Sequence, residues 1–249
     1  MSTPGHRAPA PALRVRPSVC LLYGAFTPVL ALLVLPALAP GHRAGTYWAT
    51  GTAVSVLLLL SVLLHELAHS AAARHYGIGV REVGLSAGGG TTVLARVPDN
   101  PRQELLISAA GPAATLLLGL LFWLAAGIAH ALGAQLPLST GLLLLGAVNT
   151  VFTAANLLPG ADLDGGQVLA ALLWWRLGDH KRAHHLVTTI GGVLGAVFLV
   201  AGVFLLLTGF PRLGLLSLAV TWLLGESALR RRFSGRLPGA RSARPAPPR

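Results

Sequence analysis

Apolar positions fall into six long runs parted by shorter polar stretches. Residues 18–39, 48–75, 105–131, 141–158, 186–207 and 213–229 each approach or exceed the ~17–20 apolar residues that carry a helix across a bilayer. The longest polar segment between spans is Tyr76–Glu104. Within it VREVGLS and TTVLARV read as short β-runs around Gly88-Gly89-Gly90. The fourth run breaks at residues 156–166, NLLPGADLDGG, where Pro159, Gly160, Gly165 and Gly166 interrupt a helix that resumes over Gln167–Leu177. Broken backbone at membrane depth is tolerated only when buried in protein or lining a wet cavity. The pattern predicts an all-α polytopic membrane protein with about six transmembrane helices. It adds a broken fourth helix and a small membrane-associated β-hairpin after helix 2. Residues 1–17 and 230–249 are expected to be disordered basic tails around a transmembrane domain at 18–229, with its core at 48–177. The basic front of the first run and its Ala37-Leu38-Ala39 end also fit a signal peptide. The run is longer than the ~7–15 residues of a signal core, so a retained helix is the preferred reading.

Composition agrees with the pattern. The chain is 53% hydrophobic and 11% charged, against about 25% charged in soluble domains. Its formal net charge is +11. The basic residues flank apolar spans, which argues for topology and anionic lipid contact by the tails, and against nucleic acid. Three Lys or Arg lie in the N-terminal tail, four in 74–102, three in 176–182 and seven from Arg230 onward, against Arg43 and Arg212 on the other side. The positive-inside rule then places both termini and the 76–104 segment in the cytoplasm. High Ala, Gly and Arg usage suggests a bacterial source. A single cysteine, Cys20, leaves no disulfide framework and no cysteine-based zinc site within one chain.

The second run carries ionisable groups that a membrane helix normally excludes. His65-Glu66-Leu67-Ala68-His69 is an HExxH pattern. Positions i and i+4 share a helix face, so both imidazoles can reach one metal ion, with Glu66 beside them as general base. HExxH also arises by chance, and paired histidines can serve as a polar patch between helices. Each charged group in the bilayer costs at least ~2.5–3.5 kcal/mol, which favours function. His65 lies nine residues before Arg74, about 13 Å below that interface on an upright helix. Catalytic zinc takes three protein ligands, and Asp164 in the glycine-flanked break is the natural third, with Asp162 its rival. Asn156 is placed to donate to a developing oxyanion. His130, His184 and His185 read as interfacial.

HExxH on the second span followed by NxxPxxxxDGG on the fourth resembles the site-2 protease family of intramembrane zinc metalloproteases. His65, Glu66, His69, Asn156, Pro159, Asp164, Gly165 and Gly166 carry the match. Ser108–Pro112, SAAGP, resembles the family's small-residue stretch in the third core helix. The resemblance spans roughly residues 50–175. It implies one zinc per chain held by His65, His69 and Asp164, with Glu66 as general base and Asn156 assisting at the substrate carbonyl. The family's β-segment corresponds to about Val80–Val97, with Gly89, Gly90, Thr91 and Thr92 as substrate-binding positions for an extended peptide. Asp162 departs from the family, which often has proline there. The expected activity is hydrolysis within or near a single transmembrane helix of a membrane-protein substrate, in regulated intramembrane proteolysis. The chain reads as a minimal core without a PDZ or nucleotide-sensing domain. A catalytically silent relative or a membrane metal-binding or transport protein is the alternative.

Overall fold

A computed structural model describes residues 12–86, 89–134 and 136–234. They divide into two compact units, the first ending at Leu157 and the second beginning at Leu158.

The first unit opens with strand β1 (Ala12–Val15) and helix α1 (Pro17–Leu38). Residues expected in a disordered tail thus form a strand and the start of a helix, while residues 1–11 lie outside the described part. Helix α1 widens to a π turn over Leu30–Val34, just ahead of Pro36, which cannot donate back to the preceding turn. Helix α2 (Ala44–His75) follows, 32 residues without interruption. Its buried residues Gly51, Val54, Ser55, Leu58, Ser61, His65 and His69 recur every three or four positions, one stripe of a 3.6-residue period. The upper stripe packs in an apolar cluster with Leu30, Leu35, Tyr47 and Leu145. Gly51 allows the close approach of α1, since a Cβ there would lie 3.3 Å from the Thr27 carbonyl oxygen.

Strands β2 (Val80–Ser86) and β3 (Gly89–Leu94) pair antiparallel, and β1 pairs parallel to β2, giving the order β1-β2-β3. Val80, Val83 and Leu85 of β2 are buried, and Val80 and Val83 pack with Ala73, Ile78 and Ile107. No strand covers the outer edge of β3 among the described residues. Helix α3 (Pro101–Ala131) starts on an Asn100 cap that accepts from the Gln103 amide at 3.0 Å. Helix α4 (Leu136–Asn156) packs on α3 through a buried hydroxyl pair, Thr153 donating to Thr115 at 2.8 Å.

The second unit holds α5 (Asp164–Leu177), α6 (His180–Leu207) and α7 (Pro211–Ser234). The fourth apolar run is therefore broken, ending as helix at Asn156 and resuming at Asp164. Two glycines seat the break. Gly166 of α5 lies against the Gly160 carbonyl, and a Cβ on Gly191 of α6 would stand 2.8 Å from the Pro159 oxygen. Gln167 Nε2 donates to the Ala161 carbonyl at 2.9 Å.

Five described helices are long and apolar enough to cross a membrane, α1, α2, α3, α4 and α6. The sixth run lies on α7, whose apolar portion, Pro211–Gly225, is shorter. Helix α7 continues to Ser234, into the stretch expected to be a disordered tail, and residues 235–249 lie outside the described part. The exposed leucines of α3, such as Leu117 and Leu120, and its tryptophan, Trp123, form the kind of outward apolar surface that lipid covers. The chain is a mostly helical, multi-pass membrane protein with a small three-stranded sheet.

Candidate metal centre

Helix α2 brings His65 and His69 onto one face, and both are buried together with Glu66. Their Nε2 atoms stand 3.1 Å apart, with ring centroids 4.7 Å apart and rings nearly perpendicular. His69 Nδ1 lies 2.7 Å from the Ile107 carbonyl oxygen. A carbonyl can only accept, so Nδ1 carries the proton and Nε2 presents its lone pair. Helix α3 thus sets the His69 tautomer by a backbone contact, the outer-shell arrangement that orients metal-ligating histidines.

Gly111 of α3 makes room for the pair. A Cβ there would lie 2.6 Å from His65 Nε2 and would also collide with His69 Nε2. Phe152 of α4 closes another side, its ring centroid 5.3 Å from that of His65. Two convergent imidazole nitrogens in a pocket walled by glycine and phenylalanine fit a borderline-soft cation such as zinc.

Glu66 points toward the sheet. Its Oε2 accepts from the Thr92 hydroxyl at 2.6 Å, and Gly90 lies against the same carboxylate. Of the four expected substrate-binding positions, Gly90 and Thr92 therefore meet Glu66. Thr91 points to the opposite face of β3, where its Oγ1 would stand 2.8 Å from a Cβ on Gly84. Gly89 begins the strand with φ of 110°, its carbonyl accepting from Ser86 Oγ at 3.0 Å.

Asn156 is half-buried at the end of α4, with Nδ2 donating to the Phe152 carbonyl at 3.1 Å. In the second unit Asp164 is the first residue of α5 and is half-buried, whereas Asp162 is exposed. A carboxylate in a first helical turn is favoured by the helix dipole. Ile107 and Phe152 were not singled out in the sequence. Neither is a ligand type, and only the packing of α3 and α4 on α2 brings them to the histidines.

The chain resembles known proteins over most of its length. The provisionally named zinc metalloprotease Rip3 of Mycobacterium tuberculosis is 38% identical over 186 residues, 74% of this chain and 47% of the relative. The provisionally named zinc metalloprotease sll0528 of Synechocystis is 31% identical over 193 residues, 76% of this chain and 49% of the relative. The chain therefore spans about half the length of these curated relatives. In fold it is similar to the solved site-2 protease from Methanocaldococcus jannaschii, with a TM-score of 0.55, 24% identity, and coverage of 87% of this chain and 90% of that one. The model of Peptidase family M50 matches residues 53–132 and 127–200, the stretch that holds the HExxH motif, strands β2 and β3 and the break, and the chain belongs to that family.

Proposed function

We propose that the chain is an intramembrane zinc metalloprotease that hydrolyses peptide bonds within or near transmembrane segments of membrane proteins. The observation that carries this reading is the buried pair of Nε2 atoms at 3.1 Å with the carboxylate of Glu66 on the same helix. Names of the relatives point to zinc, and the family to peptide bonds. In our reading one zinc per chain is held by His65, His69 and Asp164. The half-burial of Asp164 and the packing of Gly166 against Gly160 support it over the exposed Asp162.

Bound zinc supplies a Lewis acid that acidifies water and stabilises negative charge on a carbonyl oxygen. Glu66 takes the proton as the water oxygen adds to the peptide carbonyl, then passes it to the leaving amine. The second amide hydrogen of Asn156 donates to the oxyanion. Helical substrate hides its carbonyls in hydrogen bonds, so it must be extended at the cut. The outer edge of β3 offers backbone groups for strand addition, and β1 already occupies the other edge of the sheet. The substrate would be a membrane protein with a single transmembrane helix, cut in regulated intramembrane proteolysis. The protein would cross a bacterial cell membrane six times with both termini cytoplasmic, its basic tails on anionic lipid.

Metal analysis of detergent-purified protein tests the site. We expect about one zinc per chain in wild type, Asp162→Asn and Glu66→Gln, and loss with Asp164→Asn. Loss with Asp162→Asn instead moves the third ligand. Glu66→Gln should bind zinc and not cut. Absence of zinc from every preparation after zinc is supplied would identify a catalytically silent relative.

A further inference from the structure

We propose that Thr92 is a positioning residue for Glu66, a role distinct from holding substrate. Its hydroxyl donates to Oε2 of Glu66, ties β3 to α2 and sets the direction in which the carboxylate faces the reacting water. The inference rests on Glu66 being the general base.

Thr92 Oγ1 stands 2.6 Å from Glu66 Oε2 and 3.2 Å from the Glu66 carbonyl oxygen. A hydroxyl has one proton, and the shorter contact to a charged acceptor takes it. Gly90, two residues earlier, lies on the same face of the strand. A Cβ on Gly90 would run into Oε1 and Cγ of Glu66 and stand 2.5 Å from Cδ. The carboxylate is therefore seated by both residues, one through absence of a side chain and the other through a hydrogen bond.

Strand register decides which threonine does this. Thr92 pairs with Val83 and Gly90 with Leu85, and both partners are buried. A slip of one residue would turn Thr91 toward Glu66 and carry Leu94, which packs on the Val80–Val83 cluster, to the opposite face. The β-branched side chain restricts χ1, so the hydroxyl direction follows from the backbone. The strand offered to substrate would thus also hold the base, and its displacement would release the carboxylate.

The test uses the zinc-loaded 249-residue chain with two readouts. Hydrogen exchange of the Gly89–Leu94 amides should speed up about 10-fold or more in Thr92→Val, stay near wild type in Thr92→Ser, and leave zinc content unchanged in both. Turnover is read on a quenched-fluorescent single-span peptide with a glycine-rich unwound segment, in phosphatidylglycerol–phosphatidylethanolamine liposomes. Thr92→Val should lower kcat about 10- to 100-fold, the range for losing one hydrogen bond to a charged group, with KM within about threefold. Thr92→Ser should restore kcat. Unchanged exchange in Thr92→Val overturns the tie, and this readout decides even if the peptide is not cut. A rise in KM alone overturns positioning in favour of substrate contact. Turnover retained in Glu66→Gln would instead remove the base assignment, which is a separate failure.

Discussion

At the scale of single residues, the site is shaped as much by what is missing as by what is present. His69 is oriented through Nδ1 by the Ile107 carbonyl, and its Nε2 faces that of His65 across a gap left by Gly111. Gly111→Ala would place a methyl group 2.6 Å from His65 Nε2. Its neighbours there are two ring nitrogens on a buried helix face, and α3 is held by the Ile107 contact one turn earlier. We expect Gly111→Ala to lower zinc affinity at least ~10-fold, the scale found when support of a metal ligand is disturbed. Competition with a chelating dye on the purified variant measures it. Zinc retained at wild-type affinity would mean that the rings can turn away from α3, contrary to the Nδ1 contact.

At the scale of elements, periodicity and breakers carried most of the information. HExxH was legible because i and i+4 coincide on any helix, so the pairing of His65 and His69 needed no tertiary knowledge. The break at 157–163 was legible from Pro159 and Gly160, whereas Gly165 and Gly166, expected to interrupt the helix, lie in the first turn of α5, which resumes at Asp164 rather than Gln167. The sequence did not reveal β1, four residues in a Pro- and Arg-rich segment whose partner, β2, begins 65 residues after β1 ends. No local signal specifies a pairing across that distance. Nor could it reveal that Thr92 rather than Thr91 meets Glu66, since this depends on register. The break itself gives an element-scale prediction. The Pro159 oxygen would stand 2.8 Å from a Cβ on Gly191, and backbone yields less easily than a side chain. Overpacking of this kind costs about 1–3 kcal/mol. Gly191→Ala should therefore lower Tm of the solubilised protein by roughly 2–10 °C in a thermal-shift measurement. An unchanged Tm would mean that the Pro159–Gly160 turn is free to retreat.

At the scale of the whole molecule, the topology we propose from charge and apolar runs can be checked by labelling. All the Lys and Arg except Arg43 and Arg212 fall in segments that one orientation puts on a single side. Reversing it would carry 17 of the 19 basic residues across the bilayer, against the bias that governs insertion. The single cysteine, Cys20, is exposed, so a Cys20→Ser background permits one probe at a time. Gly45 has open space where a Cβ would go, and Leu132 and Val97 are 80% and 62% exposed, so cysteine fits at each. With both termini cytoplasmic, Gly45→Cys and Leu132→Cys should react with a membrane-impermeant maleimide in intact cells, and Val97→Cys only after permeabilisation. The opposite pattern would invert the chain and set β3, with Glu66 behind it, at the outer face. Any substrate strand would then have to arrive from outside the cell. Labelling of all three in intact cells would mean that the 76–104 segment is not shielded by the membrane barrier, and the single orientation drawn from the charges would fail.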